Sequence, residues 1–150
     1  MQVIRQNTDY ALRAMVHLAE RGDNGPVSAR KLAQAEQISP QFASKIMQKL
    51  QSAHLVTSTM GPKGGFVLAR PAEQINLLDV IQAVQGPVSV SDCVFSRDVC
   101  PRRPSCTISP RLAALQGMIE GFLKGISVAD LVNGTGQSDS QFSCREISHG

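Results

Sequence analysis

Cys93, Cys100 and Cys106 stand at C-x6-C-x5-C in a stretch, residues 88–109, that has neither helical nor alternating periodicity and is broken by Pro101 and Pro104. Thiolates are preferred ligands of iron–sulfur clusters and of zinc, and an irregular segment lets three sulfurs converge because no regular backbone ladder opposes it. Arg97, Arg102 and Arg103 lie among them in sequence and can offset the negative charge that thiolates and a cluster bring together. Zinc knuckles usually pair two cysteines two to four residues apart, which this spacing lacks. On the triplet alone an iron–sulfur cluster, a zinc ion and redox-active thiols all stay open. Cys144 lies apart, in a Ser/Gln/Gly-rich tail, and reads as a free thiol; His17, His54 and His149 have no ligand spacing. No cysteine–histidine pair carries a nucleophile motif, so the chain does not read as an enzyme.

Compartment sharpens that reading. The opening Met1–Asn7 segment has no charged, apolar and small-residue succession of a secretory signal. No apolar run approaches the length of a membrane span, and with 42% hydrophobic residues, no Trp and one Tyr the composition is that of a soluble, mostly helical protein. A cytoplasmic protein without membrane contact is expected, where a cysteine cluster is more often a metal or redox site than a disulfide framework. A chain of 150 residues can bury one core, or a small domain plus a docking arm.

The elements that must position the triplet come from periodicity and breakers. Ala11, Leu12, Met15, Val16 and Ala19 repeat at helical spacing from Thr8 until Gly22. Ser28 can cap a short second helix bearing Leu32, Ala33 and Ala35. Ser39-Pro40 opens a third, with Phe42, Ala43, Ile46, Met47 and Leu50 inward and Gln41, Ser44, Lys45, Gln48 and Lys49 outward. Two helices joined by a short turn, the second with a polar and basic outer face, match helix-turn-helix geometry. Leu55–Thr59 and Gly65–Ala69 are β-prone runs joined by Met60-Gly61-Pro62-Lys63-Gly64, a hairpin whose small residues could approach a sugar-phosphate backbone. Asn76 can cap a fourth helix ending at Gly86-Pro87. A longer one is expected from Pro110 to Lys124, with Leu112, Leu115, Ile119, Phe122 and Leu123 on one stripe and Gly117, Gly121 and Gly125 four apart on another face. Such a glycine row can mark close packing against a second helix from a partner subunit. Ser127–Val132 can add a helical turn, and a disordered tail is expected beyond.

The fold expected is therefore mainly α: a winged helix-turn-helix with a two-stranded wing and a long C-terminal dimerisation helix. Its units would be residues 1–86 for DNA binding, 87–133 for the cysteine loop and dimerisation helix, and 134–150 for the tail. Charge agrees, because residues 1–70 carry nine Lys/Arg against four acids while the rest carry six against eight. A basic first half fits a nucleic-acid-binding module joined to something that is not one. The candidate DNA contacts are Ser39, Gln41, Ser44 and Lys45 at base edges or the helix start, and Lys49, Lys63, Gly64 and Gly65 at the backbone.

In order and spacing, the chain resembles the IscR/NsrR/RirA (Rrf-type) family of winged-helix transcription regulators. The resemblance rests on Thr8-Asp9-Tyr10-Ala11-Leu12-Arg13, Ile38-Ser39-Pro40-Gln41-Phe42, Gly61-Pro62-Lys63-Gly64-Gly65-Phe66, Ile75–Ile81, the cysteine triplet and Ile126–Val132, and covers about residues 1–133. It implies a homodimeric regulator, a repressor, on a pseudo-palindromic double-stranded operator. It also implies that the cysteines hold a two-iron or four-iron cluster whose loss, oxidation or nitrosylation changes DNA affinity. Where IscR-like members place a histidine ligand three residues after the third cysteine, this chain has Ser109. NsrR-like members instead use an acidic side chain from the first helix of the other subunit, and the matching position is Asp9. That departure points to an NsrR-like cross-subunit site. The family's wing commonly carries an arginine where this chain has Met60, so the operator sequence does not transfer. A zinc-stabilised or thiol-redox winged-helix regulator, and a small iron–sulfur electron carrier, are the alternatives.

Overall fold

The computed structural model describes residues 3–95 and 100–134. Helix α1 (Gln6–Arg21) starts two residues before the periodic pattern suggests, and its N-cap Arg5 provides no side-chain cap. Thr8 is not a cap but a wholly buried residue whose hydroxyl donates to Gln85 Oε1 at 2.7 Å. Helices α2 (Ala29–Glu36) and α3 (Pro40–Ser52) start as their residues dictate. The Ser28 hydroxyl oxygen accepts from the Lys31 amide at 3.2 Å, and that of Ser39 from the Phe42 amide at 3.1 Å. Each cap satisfies an amide that the first helical turn leaves without a partner. Gln37, left-handed at φ 55°, ends α2 and turns the chain into α3.

Ala43, Ile46, Met47 and Leu50 of α3 are buried, the last three in one cluster with Ala11, Ala14, Met15 and Leu18 of α1. Tyr10 of α1 meets Phe42 edge to face, with ring centroids 5.7 Å apart. Burying side chains such as Met47 and Leu50 is worth about 1.5–3 kcal/mol each, so this face fixes how α3 is presented. The wing follows as the antiparallel pair β1 (Val56–Thr59) and β2 (Gly65–Leu68), in register Val56↔Leu68 to Thr59↔Gly65. Val27, just before α2, bridges Phe66 with amide-to-carbonyl bonds of 3.0 and 2.8 Å, tying the hairpin to the helices.

A 3-10 turn at Ala72–Gln74 leads to α4 (Leu77–Gln85), which starts in a reciprocal capping box between Asn76 and Asp79 and stops at Gly86, φ 86°. Beyond it lie α5 (Asp92–Phe95), a 3-10 turn at Arg103–Ser105, α6 (Ser109–Lys124) and α7 (Val128–Val132). Among its described residues, the stretch read from sequence as wholly irregular thus contains two helical turns. At four and three residues, each is too short to show a period.

The described residues form two hydrophobic clusters. The larger unites α1, α2, α3 and the wing base with Val128 of α7; the smaller joins Leu78, Ile81, Val88 and Leu123, with Val3 and Ile119 against it. Helix α7 reaches the first cluster because Ile126 O accepts from the Leu77 amide at 3.0 Å and the Val128 amide donates to Ile75 O at 2.8 Å. The last described helix is therefore packed with the winged helix, although α6 separates the two in sequence. Among the described residues no helix is long and apolar enough to cross a membrane. The expected disordered tail, with Cys144 and His149, lies outside the described residues apart from Gly134, as does Arg97.

Candidate nucleic-acid interface and cysteine loop

Helix α3 carries the candidate DNA-reading residues on the face opposite its buried stripe. Gln41, Lys45, Gln48 and Lys49 are exposed and Ser44 is half-buried, while Ser39 spends its side-chain oxygen on the helix start. Lys49 is placed differently from the others. Its Nζ donates to Val84 O, in the last turn of α4, at 2.8 Å. A lysine at a helix C-terminus is electrostatically favourable, and this partner competes with any phosphate.

At the wing, Gly61 has φ 110° and the Gly64 amide closes a turn on Gly61 O at 2.9 Å, which leaves Lys63 exposed at the tip beside Met60. Gly64 and Gly65 are half-buried, and the chain itself supplies a reason for both glycines. A Cβ on Gly64 would strike the Thr59 carbonyl, and one on Gly65 would lie 2.5 Å from the Val27 carbonyl carbon. Close backbone packing within the wing thus requires glycine whether or not DNA is near.

Cys93, Cys100 and Cys106 are free thiols, all half-buried, in the connection from α4 to α6. Cys93 sits on α5, its Sγ 3.2 Å from the Ser91 hydroxyl and its carbonyl accepting from the Arg103 guanidinium at 2.9 Å. Cys106 Sγ accepts from the Ser109 amide at 3.4 Å, at the start of α6. So Ser109 touches Cys106 through its backbone. The donor types suit iron, iron–sulfur or zinc. Among the described residues, however, no three Cys, His, Asp or Glu side chains are gathered as a metal-holding group. Asp9 is exposed on α1 and pairs with Arg13 at 3.0 Å, which in turn lies 3.9 Å from Glu36.

Two glutamines that sequence reading passed over brace this region. Gln116 of α6 accepts from the Val90 amide at 3.0 Å and donates to Val88 O at 2.6 Å, so one side-chain amide pairs with the backbone of the segment before Cys93. Gln85 donates to Val3 O at 2.8 Å and accepts from the Arg5 amide and the Thr8 hydroxyl. Nothing in their spacing marks them, because a single polar residue on a helix carries no periodic signal.

Helix α6 leaves apolar surface open. Ile108, Leu115, Met118 and Phe122 are exposed at 64, 44, 72 and 61%, and only Leu123 of the expected stripe is buried. A Cβ added at Gly117 or Gly121 would meet nothing within 4 Å, so that face is also unpacked within the protomer.

Residues 4–134 match the family model Rrf2, described as an iron-dependent transcriptional regulator. A chain of Azotobacter vinelandii named as the HTH-type transcriptional regulator ORF2 is 38% identical over 123 residues, covering 82% of this chain and 74% of that one. The HTH-type transcriptional regulator IscR of Photorhabdus laumondii is 32% identical over 124 residues, covering 83% and 75%. In structure the chain is similar to CymR (YrzC), the global cysteine regulator of B. subtilis. The TM-score is 0.73 at 24% identity, covering 90% of this chain and 99% of that one.

Proposed function

The chain belongs to the Rrf2 family of helix-turn-helix transcriptional regulators, and from that premise we propose that it acts as a homodimeric repressor whose cysteine loop sets its affinity for a pseudo-palindromic DNA operator. The observation that carries the reading is the position of three free, half-buried thiols between the winged helix and α6. Gln41, Ser44 and Lys45 read base edges in a major groove, and Lys63 meets a phosphate beside the wing. The exposed apolar stripe of α6 meets its symmetry mate, since one small recognition helix reads too few bases for useful specificity and two must be held at a fixed spacing.

Cys93, Cys100 and Cys106 are the thiolates that would hold an iron–sulfur cluster, with Asp9 of the partner subunit as the candidate fourth ligand. A bound cluster supplies a redox- and nitric-oxide-reactive centre that also responds to iron supply. The exposed Asp9 carboxylate, whose ion-pair partner among the described residues is the surface Arg13, is free to exchange that partner for one across the dimer. Such a bond ties the start of α1, and with it the reading head, to the other subunit's loop.

A second reading is favoured by the open arrangement of the thiols: a regulator that switches by thiol oxidation without a metal. Anaerobic purification with iron and sulfide analysis separates the two. The cluster reading expects a coloured protein that loses colour in each of Cys93→Ala, Cys100→Ala and Cys106→Ala, and altered spectra and nitric oxide response in Asp9→Ala. A colourless, iron-free protein whose DNA affinity still follows thiol oxidation establishes the second reading instead.

A further inference from the structure

Three elements meet within one short stretch of backbone. At its start, Val84 O is held by Lys49 from α3. At its far end, Val88 O and the Val90 amide are held by Gln116 from α6, and Cys93 follows three residues later. Between them Gly86 turns the chain at φ 86°, where a residue with a side chain would be strained, and Val88 is 2% exposed among Leu78, Ile81 and Leu123. Both ends are thus fixed by side chains from different helices, and between them stand a glycine at positive φ and a buried valine.

We propose that residues 84–90 form a coupling strap between the cysteine loop with α6 and the recognition helix, and that Lys49 is a positioning residue in that strap rather than a phosphate contact. The proposal rests on the reading that α3 docks on DNA. The ammonium of Lys49 and the amide of Gln116 grip the same seven residues, so a shift of α6 or α5 that pulls on 88–90 changes how Val84 O meets Lys49. That contact sits in the last turn of α3, whose carbonyls accept from the residues that follow it, Lys49 O from the Ala53 amide at 3.1 Å and Gln51 O from the His54 amide at 2.9 Å. Packed interiors transmit such displacements because they lack the free space to absorb them. A pair of side chains gripping one strap is also the kind of element whose coupling a double-mutant cycle can measure.

Amide hydrogen exchange on the 150-residue protein tests this without needing DNA, using Lys49→Met and Gln116→Met, which keep an unbranched side chain of similar reach and lose the hydrogen bonds. The strap requires that Gln116→Met speeds exchange about fivefold in the last turn of α3 as well as at 88–90, the scale of losing one hydrogen bond from a local opening. It also requires that Gln116→Met adds nothing there once Lys49→Met is present. Acceleration confined to 88–90, or equal increments in both backgrounds, overturns it. A second readout uses a duplex selected by the wild-type protein from a random-sequence pool. Lys49→Met should lower affinity with an unchanged salt slope, whereas a slope smaller by about one identifies a lost phosphate contact and contradicts the positioning role. If the wild-type protein selects no duplex, the DNA-docking reading fails, and the exchange result alone decides whether the strap exists.

Discussion

The hydroxyl of Thr8, with no exposed surface, donates a 2.7 Å hydrogen bond to Gln85 Oε1, which also accepts from the Arg5 amide at 3.0 Å. One side chain at the end of α4 therefore satisfies a buried polar group and anchors the segment before α1. An unmade hydrogen bond at a buried donor costs about 1–3 kcal/mol. Gln85→Leu should lower unfolding stability by an amount in that range, because it strips partners from Thr8, Arg5 and Val3 together. Thr8→Val should cost less, about 1 kcal/mol, since Gln85 keeps its two backbone contacts. Urea unfolding of the two variants checks the order; a larger loss in Thr8→Val would show that the clamp does not act through Gln85.

The open face of α6 gives an expectation with a sign. If Phe122 and Met118 meet a second copy of the chain, Phe122→Glu places a charge in that interface and the protein should sediment as a monomer with its helix content retained. Gly121→Leu should act in the same direction, because the open space beside its Cα in the protomer is then the partner's. Were the face free in solution, both variants would leave the sedimentation coefficient unchanged. Replacing an exposed mid-helix glycine would then stabilise the chain by about 0.5–1 kcal/mol.

How much of this was legible in the residues depends on the length and locality of each signal. Ser28, Ser39-Pro40 and Asn76 announced their helices because a cap is a local event that needs only the following turn. The wing was legible from β-prone runs flanking Gly61–Gly65, yet the reason for Gly64 and Gly65 was not, since the atoms they must avoid belong partly to Val27 far upstream. The stripe of α6 was visible as helical, but periodicity reports a face and not its partner, and only Leu123 turned inward. Lys49 read as a surface cation because no local pattern could reveal that α4 ends beneath it. The cysteine spacing conveyed chemistry without geometry.

The acid limb of stability should involve α7. The Ser127 amide and then its hydroxyl, which bond the Asp130 carboxylate and backbone, hold the Asp130 carboxyl below its ordinary value of 3.8, with desolvation opposing weakly. A carboxyl lowered on folding contributes stability that is full above the unfolded value and fades as pH falls through the folded one. Exchange protection at the Val128 amide, which bonds Ile75 O, should therefore hold at neutral pH and decline as pH is taken below 3.8. Asp130→Asn should show lower protection at neutral pH and little further decline in acid. A wild-type decline beginning well above 3.8 would assign the loosening to another group.

The central claim is that the state of the cysteine loop controls DNA affinity, and one titration tests it most directly. A fluorescent duplex selected by the wild-type protein is titrated, at fixed salt, with anaerobically purified protein as isolated, after removal or oxidation of whatever the thiols hold, and as a Cys93→Ser, Cys100→Ser, Cys106→Ser triple variant. The account predicts that the treatment changes the Kd of the wild-type protein by at least about tenfold, the typical scale of a coupling free energy between sites. It predicts that the triple variant has a single Kd unaffected by the treatment. Equal affinities for all three preparations, with DNA still bound, would contradict it.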